Sequence, residues 1–289
     1  MRRGETLDTT IHEPAAEKRE LADINRCRAA LARLYPGLAR PAASRFDLDR
    51  LLEDREEANG GFMQLMPGDI VFDASDTETA IGCRKREGYA IELPPREYLN
   101  SIIEDFSSDN ASVGPVTKLF RYAFFINRKM PYAKWPSDIS FETFIAAYSA
   151  AMDGRISTLK DVIDQKLPAV CFSQALALAF VAQNDPEIRD SGIKVAFSTG
   201  IAKRAGSGGG HAWVTAMFPQ EMVEREGLDS QSYIIDPTQL KIASADATVL
   251  FYGTEYIELG PKETYKGILH DKRLSNNCGV LRLRDKNYV

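Results

Sequence analysis

The chain is poor in the side chains that do most protein chemistry: among 289 residues there are three histidines, four cysteines and two tryptophans. The cysteines, Cys27, Cys83, Cys171 and Cys278, lie far apart, with no CxxC pair and no short metal-ligand spacing. That excludes a disulfide framework and leaves reduced thiols as the expectation. It also argues against zinc: Cys171, His211 and Asp236 could be counted as three ligands, but no two of them are close in sequence. No acidic loop has calcium spacing and no cofactor motif appears, so neither a metal nor a cofactor is expected. No apolar run approaches the roughly 20 residues that cross a bilayer. The longest, Ala175 to Ala182 (ALALAFVA), belongs in a core. The N-terminal MRRGETLDTTIHEP has a basic pair with no apolar segment behind it, so a Sec-type signal is not expected. The expected location is the cytoplasm, or export by a route lacking such a signal. An excess of either charge is missing as well: 36 basic residues face 41 acidic ones, a formal net charge of −5. A general nucleic-acid binder would show a basic excess.

What is present is the material for a core. Apolar residues make up 44% of the chain, with 14 Phe and 11 Tyr, enough for one large domain or two modest ones. The apolar stripe Leu21, Ile24, Cys27, Leu31 and Leu34 predicts a helix over 13–34, ended by Pro36-Gly37. Further helices are expected at 47–57, 96–106, 116–128, 141–152 and 158–165, and at 171–183 (CFSQALALAFVAQ). The aromatic group Phe120, Tyr122, Phe124 and Phe125 is expected to pack in the core. Strands are expected near 69–73, 193–199, 211–217, 232–236 and 248–252, where apolar and polar residues alternate. The segment 219–231 suits a short helix, and 110–115 reads as a loop and a boundary. The expectation is an α+β protein: a mainly helical region over 1–110, then a second domain over 111–289 in which a helix is followed by an antiparallel sheet.

Three side chains suggest a site. Cys171 stands where a helix begins, after Pro168, and unpaired N–H groups and the positive end of the helix dipole stabilise a thiolate there. The alternative is a small core residue. His211 follows Gly208, Gly209 and Gly210, read as a flexible loop that opens into a strand; taken alone it could merely satisfy a turn. Asp236 ends the apolar run SYIID before Pro237-Thr238. It could start that turn, or it could accept the Nδ1–H of a histidine on the neighbouring strand and leave Nε2 facing a thiol.

Taken together, "TLKDVIDQKLPAVCFSQALALAFVAQ", "GHAWVTA" and "YIIDPTQ" resemble the transglutaminase-like superfamily of papain-type folds, over about residues 115–255. Two features depart from that pattern: Ala169 stands where the family usually has glycine, and an extra segment, 219–231, separates the histidine from the aspartate. The resemblance implies a papain/transglutaminase-like core, a cysteine-bearing helix on an antiparallel sheet, with Cys171 as nucleophile, His211 as general acid/base and Asp236 as its orienting partner. It implies acyl transfer from a protein or peptide amide through a thioester, ending in hydrolysis, deamidation or cross-linking. An oxyanion would be met by the Cys171 N–H. Gln165, at a spacing resembling that of papain-like enzymes, is a candidate second donor, and Trp213 and Gly210 are candidate substrate contacts. Two other classes stay open: a non-catalytic interaction module on the same scaffold, and acetyl transfer from a thioester cofactor.

Overall fold

A computed structural model of the chain describes residues 14–40, 44–45, 64–78, 84–108, 113–204, 207–244, 247–248, 254–258 and 276–281. The expected helix at 47–57 lies outside them, as does the expected strand at 248–252 apart from Thr248, which is helical. The described helices are α1 (Pro14–Leu34), α2 (Pro36–Ala39), α3 (Arg96–Ser108), α4 (Pro115–Lys129), α5 (Phe141–Met152), α6 (Leu159–Ile163), α7 (Cys171–Asn184), α8 (Pro186–Asp190) and α9 (Gln220–Glu226). The strands are β1 (Ser44–Arg45), β2 (Ile70–Glu78), β3 (Arg84–Glu92), β4 (Arg155–Thr158), β5 (Lys194–Arg204), β6 (Ser207–Met217), β7 (Ser232–Asp236), β8 (Lys241–Ser244), β9 (Thr254–Glu258) and β10 (Asn276–Leu281). The protein is α+β. Among the described residues, no helix is long and apolar enough to cross a membrane.

Two five-stranded sheets flank the helices. One has the order β1-β4-β3-β2-β10, antiparallel except for β3 against β4. The other is wholly antiparallel, in the order β8-β7-β6-β5-β9. The helix α7, in which every residue from Phe172 to Gln183 is buried, packs on the second of these sheets. A helix that is apolar all round has no solvent face to offer, so ALALAFVA is enclosed on every side. The β5 and β6 strands pack on it, and alternate β6 residues, Ala212, Val214 and Ala216, join its core cluster.

One apolar cluster holds residues from both sides of the expected boundary. Cys27, Leu31, Leu65 and Val71 belong to the same apolar cluster as Leu176 and Ile235. One sheet joins β2 and β3 from the first region to β4 and β10 from the second. The first region therefore contributes strands as well as helices. α2 is also stitched to the loop that leads into α7: the Gly37 N–H donates to the Lys166 carbonyl at 2.8 Å.

Several strands have no clear signature in the sequence. β4 and β8 are four residues each, too short for an alternation to show. The glycines before His211 are a correction: Gly208, Gly209 and Gly210 are not a loop but part of β6, paired with Lys203, Ala202 and Ile201 of β5. Glycine has little strand preference of its own, but the 11-residue β5 provides a complete ladder for it. His211 thus sits in the middle of β6 rather than at its mouth.

Candidate active site

The thiol is positioned by the start of α7. Val170 is the N-cap, extended at φ −127° and ψ 176°, and offers no side-chain oxygen to the first turn. Ser173, at the third helical position, partly compensates: its Oγ accepts from the Val170 N–H at 2.9 Å and donates to the Val170 carbonyl at 3.0 Å. The first-turn N–H groups are therefore left at the thiol end of the helix. Phe172 to Gln183 are buried, while Cys171 is partly exposed. Cys27, in contrast, is buried in the core, and burial pushes its thiol up.

The imidazole and the carboxylate meet. His211 Nε2 lies 2.7 Å from Asp236 Oδ2, with the histidine side chain 10% exposed and the aspartate 0%. The pairing reverses the expected assignment of ring nitrogens: Nε2, not Nδ1, takes the carboxylate, so Nδ1 is the nitrogen left for the thiol. The cause lies in the sheet. Asp236 comes from β7 beside β6, while Cys171 comes from α7, so the two partners approach His211 from different layers. Burial alone would push the His211 imidazolium down. The hydrogen bond to Asp236 and the neighbouring Cys171, with the charges on both, outweigh it and raise the imidazolium to about 10. Burial would push the Asp236 carboxyl up, but His211, then Tyr256 and the Gln239 N–H, hold it below the usual carboxylate range.

Asp236 is completely solvated by the protein. Oδ2 accepts from His211 and from the Tyr256 hydroxyl at 2.7 Å, and Oδ1 accepts from the Thr238 and Gln239 N–H groups at 2.9 and 3.0 Å. A buried carboxylate with four donors stays ionised. The turn that carries it is clasped from two helices. Thr238 Oγ1 donates to Gln174 Oε1 at 2.7 Å, and Gln174 Nε2 donates to the Met130 carbonyl at 2.6 Å. Asn127 Nδ2 donates to the Pro237 carbonyl at 2.8 Å. Gln174 is one turn along the helix from Cys171, so the side chain that ties down the carboxylate's turn is rigidly linked to the thiol.

The remaining sequence candidates fall as follows. Trp213 is 1% exposed and lies next to the histidine, its ring centroid 6.4 Å from that of His211. It is a wall behind the imidazole. Gly210 is exposed on β6, immediately before His211. Gln165 is exposed at the end of α6, in the left-handed region at φ 58°. The Lys166 and Leu167 N–H groups there both return to the Asp161 carbonyl, which closes the helix. Gln165 Nε2 donates to the Lys129 carbonyl at 3.2 Å, so the structure uses its amide to finish α4.

The sequence reading missed Tyr256, Asn127 and Tyr132. Tyr256 sits in the short β9 and nothing in its spacing links it to Asp236. Tyr132 pairs with Ala169 in a parallel bridge, two residues before the cysteine. Its hydroxyl is pushed up by burial and then by the charge of Cys171, which places the two groups near each other. Among the described residues, no group of three or more His, Cys, Asp or Glu side chains is disposed to hold a metal.

No protein-family model, no curated protein and no solved structure matches the chain. The three side chains come from the first turn of α7, from the middle of β6 and from the end of β7.

Proposed function

We propose that the protein is a thiol-dependent amide hydrolase or acyltransferase of the transglutaminase-like, papain-type kind, acting on a protein or peptide. The observation that carries this reading is the His211–Asp236 pair at 2.7 Å, with Cys171 as the imidazole's other partner. An imidazole fixed by a buried carboxylate at one nitrogen and facing a helix-terminal thiol at the other is suited to nucleophilic acyl chemistry.

In the first half-reaction the Cys171 sulfur attacks the amide carbonyl carbon, and the oxyanion forms near the Cys171 N–H at the helix terminus. His211 gives its Nδ1 proton to the leaving nitrogen, the C–N bond breaks, and an amine departs from a thioester. In the second half, His211 takes a proton from water, the hydroxide adds to the thioester, and the sulfur leaves as thiolate. The sum is amide plus water giving acid plus amine. If the amide is a backbone bond the result is proteolysis; if it is a glutamine side chain, deamidation; an acceptor amine in place of water gives transfer. Asp236 stays ionised throughout this scheme. It fixes the ring and stabilises the imidazolium.

Trapping the thioester tests the reading. Wild-type protein and Cys171→Ala are incubated with cell extract, quenched in acid, and the material bound at residue 171 is identified by mass spectrometry. An adduct on wild type whose mass is lost on hydroxylamine treatment, and which Cys171→Ala lacks, is expected. The same capture by both proteins overturns the covalent mechanism.

A further inference from the structure

Asp236 Oδ2 is shared. His211 Nε2 and the Tyr256 hydroxyl each reach it at 2.7 Å, from different strands. Tyr256 belongs to β9, which is separated from the histidine strand by β5. Its ring also packs edge-on against Trp213, with centroids 5.1 Å apart, and lies 6.1 Å from the His211 ring. The approach is possible because β5 carries Gly200 beneath it: a Cβ there would lie 2.0 Å from the Ile257 carbonyl oxygen and 2.8 Å from Trp213. Gly200 is also the residue of β5 directly opposite His211. The strand carrying Tyr256 thus comes close to β5 at Gly200, the residue opposite His211, while Tyr256 itself stands opposite Ala202.

We propose that Tyr256 is a positioning residue of this site, whose hydroxyl, by sharing Asp236 Oδ2, limits how strongly the carboxylate holds the His211 imidazolium. The proposal rests on the thiol–imidazole–carboxylate reading. An oxygen that accepts two strong donors divides its electron density between them. With Tyr256 in place, His211 keeps its orientation but its proton is held less firmly, so it can be handed to a leaving amine. The other carboxylate oxygen is occupied by the Thr238 and Gln239 N–H groups, and these keep the turn in place if the hydroxyl is removed. Among the described residues, the charged and titratable groups around the imidazole are Cys171 from α7, Asp236 from β7 and Tyr256 from β9, with Lys241 of β8 beyond. Lys241 is opposite Asp236 in register, and its ammonium donates to Thr254 Oγ1 at 2.9 Å.

Histidine-selective 15N NMR titration tests this. The chain has three histidines, so the His211 signals are assigned by their loss in His211→Gln. Wild type, Tyr256→Phe, Tyr256→Leu and Cys171→Ser are titrated in parallel. Removing the hydroxyl should move the His211 midpoint upward by about half to one pH unit, as one donor to a charged acceptor is withdrawn. Phe and Leu should behave alike, since the hydroxyl rather than the ring is responsible. An unchanged or lowered midpoint in both variants overturns the proposal, and so does an upward shift in Leu alone, which would mark a packing effect. Failure of the underlying site looks different: His211 would then titrate in the ordinary histidine range in wild type and would ignore Cys171→Ser.

Discussion

Replacing Asp236 by Asn leaves the shape of the buried side chain intact and inverts one of its faces. The carboxylate is 0% exposed and accepts from His211, Tyr256, Thr238 and Gln239. An amide placed with its nitrogen toward His211 points a donor at two donors. Turned over, it confronts the Thr238 and Gln239 N–H groups, which the backbone does not allow to turn away. The less costly response is for His211 to give up its Nε2 proton and carry one on Nδ1, the nitrogen facing the thiol. In that tautomer the ring cannot take the Cys171 proton. An imidazolium beside a thiol favours the thiolate, the nucleophilic form, and a neutral Nδ1–H tautomer does not. A stabilised thiolate is also a poorer nucleophile, so alkylation of Cys171 by iodoacetamide at pH 6 should fall by about 10- to 100-fold. Turnover, once a substrate is in hand, should fall by about 10,000-fold, the scale of a wrong-tautomer defect in a serine triad. Loss of a charged acceptor should cost about 2 kcal/mol of stability, leaving a folded protein whose alkylation is measurable by mass spectrometry. Equal alkylation rates in Asp236→Asn and wild type at pH 6 would refute the reasoning.

Three further outcomes follow from the same geometry. Gln174→Ala removes the link between α7 and the Asp236 turn and leaves the buried Met130 carbonyl without its side-chain donor; urea unfolding should show a loss of about 1–3 kcal/mol, and Cys171 alkylation at pH 6 should slow. Gly200→Ala brings a Cβ to 2.0 Å from the Ile257 carbonyl oxygen, so β9 must move. Thermal unfolding should report a loss of about 1–3 kcal/mol, and a neutral result would show that β9 is not held there. The pH dependence of stability has a definite sign. Because His211 is raised to about 10, its contribution is complete below the unfolded value of about 6.5 and is lost as pH rises from there through about 10. Because Asp236 is lowered, its contribution is present above the unfolded value of about 3.9 and fades as pH falls through its lower folded value. Urea titrations from pH 4 to 10 should show stability highest near pH 5–6.5 and declining on the alkaline side, and His211→Ala should flatten that decline.

The parts of the molecule that the sequence made legible are those with a long, regular pattern. α1, α4, α5, α7 and β7 appear within a residue or two of where apolar spacing and proline or glycine punctuation placed them. The pairing of His211 with Asp236 was also legible, because a histidine on one strand and an aspartate ending the next lie within side-chain reach of each other. What stayed hidden depends on contacts between distant segments. β9 is five residues, and its place depends on Gly200, over fifty positions earlier, being bare where the Ile257 carbonyl approaches. The ring-nitrogen assignment was hidden too, since it depends on which layer each partner approaches from. Gln165 shows the converse: its spacing from Cys171 suggested an oxyanion donor, but the closure of α6 turned its amide to Lys129. Spacing in sequence records how far along the chain a residue lies, and helix termination decides which way it then points.

The measurement that bears most directly on the site is the alkylation rate of Cys171 as a function of pH, resolved by mass spectrometry from that of the buried Cys27, in wild type and in His211→Ala. An ion pair predicts that Cys171 of wild type is alkylated faster than that of His211→Ala on the acid side of neutrality, and that the two curves differ in shape. Superimposable curves for the two proteins would contradict the pairing of thiol and imidazole on which everything proposed for this site is built.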